Sequence, residues 1–120
     1  MFDVITYKDK QGNDPIREYL KELAEKSKRD KNARIRQKKI LEYIDLLRNF
    51  GTRAGLPAMK HIEGELWELR PTNDRIFYAF YKDNTYILLH HYIKKSQKAP
   101  AREIEKAKNN LQEFLERSMN

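Results

Sequence analysis

Apolar residues recur along the chain in two rhythms, and the change of rhythm divides it. The opening FDVITYK is rich in β-branched and aromatic residues and breaks at Gly12, which predicts a short strand. Asp14 followed by Pro15 has the form of an N-cap and a first-turn proline, and Ile16, Tyr19, Leu20 and Leu23 then follow at helical spacing. Polar positions take over next: between Lys26 and Lys39 stand eight basic residues and one acid. Ile40, Leu41, Ile44, Leu47 and Phe50 restore a helical stripe that Gly51 stops. Two helices packed antiparallel are the expectation.

Beyond Gly51 the period shortens to two. Gly55 and Pro57 mark a loop, Met59 to Ile62 a short run, Glu63-Gly64 a turn, and Leu66 to Arg70 a strand-like alternation. PTND at 71–74 reads as a turn, RIFYAFY at 75–81 as a strand, KDN at 82–84 as a second turn and YILLHHYI at 86–93 as another strand. Tight turns between successive strands predict an antiparallel meander. Pro100 opens a final helix in which Ile104, Ala107, Leu111 and Phe114 recur at three- and four-residue steps. The fold class is therefore α+β: N-terminal strand, two-helix hairpin, antiparallel meander and C-terminal helix. With 120 residues and no internal repeat or linker, one domain over 1–120 is expected.

Charge changes this picture more than size does. Lys and Arg number 25 against 18 Asp and Glu, a net +7 with a pI near 9.6, which suits a polyanionic partner. Aromatic residues at 11% argue for a folded core despite 36% charged residues. The absence of cysteine excludes disulfides, thiolate chemistry and Cys-ligated metal centres. No apolar run approaches the roughly 20 residues of a membrane helix, and no signal-like run stands at the start, so a cytoplasmic protein without membrane contact is expected.

Strand alternation sorts the cations. Glu68 and Arg70 share one face of their strand, with Trp67 and Leu69 on the other; Arg75 shares its face with Phe77, Ala79 and Tyr81, opposite Ile76, Tyr78 and Phe80. Arg70 and Arg75 flank the PTND turn, so they lie close together, and Lys94, Lys95 and Lys98 join them if the last strand ends nearby. Such a pocket suits phosphates. The alternatives are plain: Arg70 and Arg75 as hairpin-end charges or partners of Asp74 and Glu68, the Lys26–Lys39 run as a solvated helix face, and Tyr78 as core rather than a surface on which a base stacks. His90 and His91 point to opposite faces and His61 has no spaced companion, so no metal site or other cofactor is expected.

The order of these elements, with Glu68-Leu69-Arg70, Arg75-Ile76-Phe77-Tyr78, Leu88-Leu89-His90, Lys94-Lys95-Ser96-Gln97-Lys98-Ala99-Pro100 and Glu103-Ile104, resembles the RelE/HigB superfamily of toxins. Within it the chain looks like the HigB-like, phage-derived host-inhibition branch of type II toxin–antitoxin systems. The resemblance implies a ribosome-dependent mRNA endoribonuclease, in which the ribose 2′-oxygen attacks the adjacent phosphate without a metal. It also implies a helix-turn-helix antitoxin of HigA-like type, in a toxin–antitoxin heterotetramer. Arg75 matches the strand arginine that grips the scissile phosphate, and Lys94, Lys95 and Lys98 match the basic segment after the last strand.

One departure leaves the general base open. Where related toxins carry strand lysines, this chain has Leu66 and Glu68; Glu68, Lys60, His90 and His91 are the candidates. The expected catalytic set is Arg70, Arg75, Lys94, Lys95, Lys98 and Glu68. Lys60, Tyr78, Lys28, Arg29, Lys31, Arg34, Arg36 and Lys38 are the expected contacts to RNA or ribosome. Two other readings stay available: a toxin of this fold that inhibits a protein target such as gyrase, and a non-catalytic RNA-binding module.

Overall fold

Asp14 accepts a hydrogen bond from the Arg17 amide at 3.1 Å while Pro15 fills the first helical position, so helix α1 (Pro15–Lys26) starts where its cap dictates. The other carboxylate oxygen of Asp14 takes the Thr6 hydroxyl at 2.5 Å, tying the helix to strand β1 (Asp3–Thr6). The one acid of the basic run, Asp30, caps helix α2 (Lys31–Phe50) through the Asn32 and Ala33 amides. These assignments come from a computed structural model that describes residues 1–119. A one-turn 3-10 helix (Gly51–Ala54) leads into β2 (Met59–Glu63), β3 (Leu66–Leu69), β4 (Asp74–Phe80), β5 (Thr85–Ile93) and helix α3 (Ala101–Ser118). The architecture is mixed α+β and compatible with a RelE-like fold.

The five strands form one sheet in the order β1-β5-β4-β3-β2, in which β2 to β5 are the expected antiparallel meander. Strand β1 adds to its far edge, parallel to β5. One face packs on the hairpin through Ile16, Leu23, Ile40, Ile44, Leu47, Leu69, Ile76 and Tyr78. The other packs on α3 through Leu66, Phe77, Ala79, Ile87, Leu89 and Ala107. The alternation read from β3 and β4 is thus the division between the two cores. On α2 the apolar stripe is narrower than its spacing suggests: Leu41 and Phe50 are about half exposed.

Strand β5 breaks its own alternation. Tyr78 pairs with Leu88 and Phe77 with His90, so Leu89 is an extra residue, a β-bulge. Leu89 and His90 therefore both face α3, His91 faces the hairpin, and Tyr92 faces α3 again. The Leu89 carbonyl accepts the Asn110 side-chain amide of α3 at 2.9 Å.

Gly51 ends α2 at φ +61°, and a Cβ there would sit 2.7 Å from the Tyr86 hydroxyl and 2.9 Å from the Phe2 ring. Only glycine meets both demands. Gly51→Ala is expected to destabilise the fold by about 2 kcal/mol through strain and overpacking, read as a lower urea midpoint at unchanged m-value.

Candidate functional site

Strand β4 begins at the turn that Arg70 and Arg75 flank, and its second residue turns toward α3. Arg75 is buried there. Its Nη1 donates to the carbonyls of Thr72 at 2.8 Å and Asp74 at 3.0 Å, which fixes the guanidinium against the turn. Glu68, two residues before Arg70 and on the same face, is also buried, its Oε1 lying 3.8 Å from Arg70 Nε and 3.9 Å from Arg75 Nε. Those distances are attraction without hydrogen bonds. Arg70 Nε is, among the described residues, the buried side-chain nitrogen left with no acceptor. A buried donor without a partner is costly, and the Glu68 carboxylate 3.8 Å away offsets that cost only in part.

Above these groups opens a cleft of about 500 Å³. Lys94, whose amide donates to the Asn73 carbonyl at 2.8 Å, and Lys98 close it on the side of the 94–100 segment. Lys60 closes it from β2, where it pairs across the strands with Glu68. Five cations and one carboxylate thus share one concavity, with Ile62, Ala99 and Ile104 as its apolar wall. The segment is anchored at its far end by His90 Nε2, 2.6 Å from the Glu103 carboxylate in the first turn of α3. His90 holds Glu103 below the ordinary carboxylate range, against the opposing effect of partial burial.

Several expected residues fall elsewhere. Lys95 is exposed beside Asn73 in a separate shallow depression and does not line the cleft. Tyr78 is fully buried on the hairpin side, with its hydroxyl against Met59 Sδ at 3.1 Å, so it offers RNA no surface and the stacking role is withdrawn. Neither His90 nor His91 lines the cleft as a candidate base: the first is held by Glu103, the second points to the hairpin. His61 does border it, but its ring packs edge-on to Trp67 and its Nε2 lies 2.8 Å from the Gly64 carbonyl. The Asp74 carboxylate is not a partner of the cleft arginines, because it lies on the opposite face.

Asp74 is instead the acceptor of a buried cluster, and Arg36 belongs to that cluster and not to an RNA-facing surface. Its Oδ1 takes the Tyr19 hydroxyl at 2.7 Å, Arg36 Nη2 at 2.8 Å and His91 Nε2 at 2.9 Å, while Oδ2 takes Arg36 Nε at 3.1 Å. Burial alone would raise this carboxyl; the hydrogen bonds from His91, Arg36 and Tyr19 outweigh it and hold Asp74 far below the usual range. Lys28, Arg29, Lys31, Arg34 and Lys38 are exposed around the same hairpin. Lys28 is paired with Glu25 at 3.1 Å, but both groups are largely in solvent.

Sequence reasoning missed Tyr92. Its hydroxyl donates to Glu68 Oε2 at 2.9 Å on the cleft floor, and its ring stacks on Phe77. Burial first, and then the Glu68 hydrogen bond, push its phenol well above the usual tyrosine value, so it stays a donor. The run His91-Tyr92 before the lysines carried no signal of this, since strict alternation from Tyr86 would place Tyr92 on the hairpin face.

Chemically, the cleft can seat a phosphodiester beside two guanidinium groups and supply ammonium groups next to it. One carboxylate oxygen, Glu68 Oε1, accepts no hydrogen bond. Among the described residues no group of three or more His, Asp or Glu is arranged to hold a metal ion, and no helix is long and apolar enough to cross a membrane. Comparison with known families matches residues 18–112 to the one described as Phage derived protein Gp49-like (DUF891). No curated protein matches the chain.

Two outcomes follow from these groups. Tyr92→Phe leaves Glu68 Oε2 unpaired inside the protein and is expected to cost about 1–3 kcal/mol in chemical denaturation. Asp74 and Glu103 are depressed on folding, so the stability they contribute is complete above the ordinary carboxylate value and is lost as pH falls below it. The urea midpoint should therefore be steady near neutrality and decline on acidification below about pH 4; a midpoint that rises over that range would contradict the assignment.

Proposed function

We propose a function that starts from one fact: the chain belongs to the Gp49-like family of phage-derived proteins, a RelE/HigB-type toxin family. The family is associated with toxins of toxin–antitoxin systems, which implies an antitoxin partner. Within it we read this chain as a HigB-like, ribosome-dependent mRNA endoribonuclease of the cytoplasm, held in check by a HigA-like helix-turn-helix antitoxin in a heterotetramer. One observation carries the reading: Lys60, Glu68, Arg70, Arg75, Lys94 and Lys98 converge on a single cleft.

The reaction these groups suit is intramolecular displacement. The 2′-oxygen of a ribose forms a bond to the neighbouring phosphorus as the bond from phosphorus to the 5′-oxygen breaks. A 2′,3′-cyclic phosphate and a 5′-hydroxyl result. Glu68 Oε1 takes the 2′ proton, and its partner oxygen is steadied by Tyr92. Arg70 and Arg75 offset the charge that grows on the phosphoryl oxygens, Arg70 with the donor that has no acceptor in the free protein. Lys94 or Lys98 returns a proton to the departing 5′-oxygen. Lys60, beside Glu68, holds the flanking phosphate.

The exposed cations of the hairpin, Lys28, Arg29, Lys31, Arg34 and Lys38, supply the second half of the reading, a face that docks on ribosomal RNA. Geometry favours the nuclease over inhibition of a protein target, because a concavity with buried Arg75 and half-buried Arg70 in its wall fits a small polyanion better than a protein surface.

Primer extension on translating ribosomes tests the reading: purified protein should create new mRNA 5′ ends, and growth arrest without them would remove it. Arg75→Ala is expected to slow single-turnover cleavage about 10²- to 10³-fold, with little change in ribosome affinity. Ribosome affinity itself should weaken about 100-fold from about 50 to about 200 mM salt for about four phosphate contacts. An affinity indifferent to salt would rule out the hairpin face.

A further inference from the structure

The two main cations of the cleft do not hold themselves in place. Arg75 is fixed by the carbonyls of Thr72 and Asp74, and Lys94 by the bond from its amide to the Asn73 carbonyl. Three consecutive carbonyls of one turn, 72 to 74, therefore set where both side chains begin. The turn is closed by the Asp74 amide on the Pro71 carbonyl at 3.0 Å, and Thr72 sits at φ +47°, a conformation a β-branched residue rarely adopts. Such a turn needs outside support to stay as it is.

That support is the Asp74 side chain, which is fully buried. Its four hydrogen bonds come from α1 through Tyr19, from α2 through Arg36 and from β5 through His91, with the Tyr19 and His91 rings stacked at 3.8 Å between centroids. Together the three elements hold both carboxylate oxygens, Oδ1 through three of the bonds and Oδ2 through one. A buried ion pair of this kind contributes little net stability compared with apolar packing of the same volume. What it does provide is position.

We propose that Asp74 is a positioning residue for the cleft: through the turn it begins, it fixes Arg75 and Lys94 in the geometry that receives the phosphate, and Tyr19, Arg36 and His91 are its clamp. The proposal rests on reading the cleft as the anion site, not on the identity of the reaction. Asp74 touches no substrate, since it points into the hairpin core while Arg75, one residue on, points into the cleft.

The test compares Asp74→Asn and Tyr19→Phe with Tyr7→Phe. Tyr7 is a matched control: it too is a buried tyrosine whose hydroxyl donates to a carboxylate, Glu113, at 2.6 Å, but that carboxylate is in the second half of α3, and Tyr7 lines neither the cleft nor the Asp74 cluster. Nuclear magnetic resonance follows the Arg75 Nε–H signal, the Lys94 amide signal and its hydrogen exchange, and titration with inorganic pyrophosphate reads the cleft's anion affinity. Ribosome assays read kcat and KM. In Asp74→Asn and Tyr19→Phe both signals should move, Lys94 exchange should speed up about 10-fold or more, pyrophosphate should bind more weakly, and kcat should fall about 10- to 100-fold at nearly constant KM. Tyr7→Phe should do none of this.

If Asp74→Asn does not fold, Tyr19→Phe, which keeps the charged pair, decides. Unmoved Arg75 and Lys94 signals in a folded variant overturn the proposal, and so does an equal movement in Tyr7→Phe, which would mean general loosening. Should the native protein leave mRNA uncut while Asp74→Asn still displaces both cations and weakens pyrophosphate binding, the nuclease reading falls and the positioning role stands.

Discussion

Strand β4 lies between two layers, and the twofold alternation of its side chains is the constraint on which the rest depends. Asp74, Ile76 and Tyr78 face the helical hairpin; Arg75, Phe77 and Ala79 face α3. The first residue of the strand is thus committed to the hairpin's polar cluster and the second to the cleft, within one peptide unit. A shift of register by one residue would place a guanidinium among Ile40 and Leu47 and a carboxylate among the cleft lysines. Burial on both faces makes that shift prohibitive. Placement of the cleft arginine is in this sense a property of the core.

Crowding five cations into one cleft raises the energy of the free protein, because like charges repel in a partly buried site. Glu68 relieves part of that. It lies near Arg70 and Arg75 without hydrogen-bonding either, so it lowers the repulsion and leaves their donors free. Tyr92 holds the carboxylate on the other side, so its distance from the arginines stays fixed. An apolar wall of Ile62, Ala99 and Ile104 excludes water from one flank, which strengthens each interaction that a phosphate would make.

Much of this was legible in the sequence because it depends on local rules. Asp14 and Pro15 mark a helix start by the hydrogen-bonding needs of the first turn, Gly51 marks an end by its freedom at positive φ, and alternation puts Glu68, Arg70 and Arg75 on one side of the sheet. The approach of Lys94 and Lys98 to them followed from short turns and an antiparallel meander, and the pairing of Lys60 with Glu68 brings in the third lysine. What could not be read was whatever depends on pairing between distant segments. Arg36 looked like one more member of a basic run, since nothing local distinguishes it from Arg34. Only the approach of α2 to the start of β4 gives it a partner. Tyr78 was offered two environments by its composition, and the core took it. Lys95 points away from its neighbour Lys94, as adjacent residues in extended chain do. Tyr92 was hidden by the irregularity in β5, which no spacing rule announces.

That irregularity, rather than strict alternation, decides which side chain reaches the floor of the cleft. Leu89 lies outside the pairing, so losing that one residue would leave His91 opposite Ile76 and Tyr92 opposite Arg75. Ironing the bulge flat with Leu89 retained would instead exchange them, stranding the phenol beside Asp74 and the imidazole beside Glu68. The bulge is therefore the one place in β5 where a codon can be lost with the cleft floor left as it is.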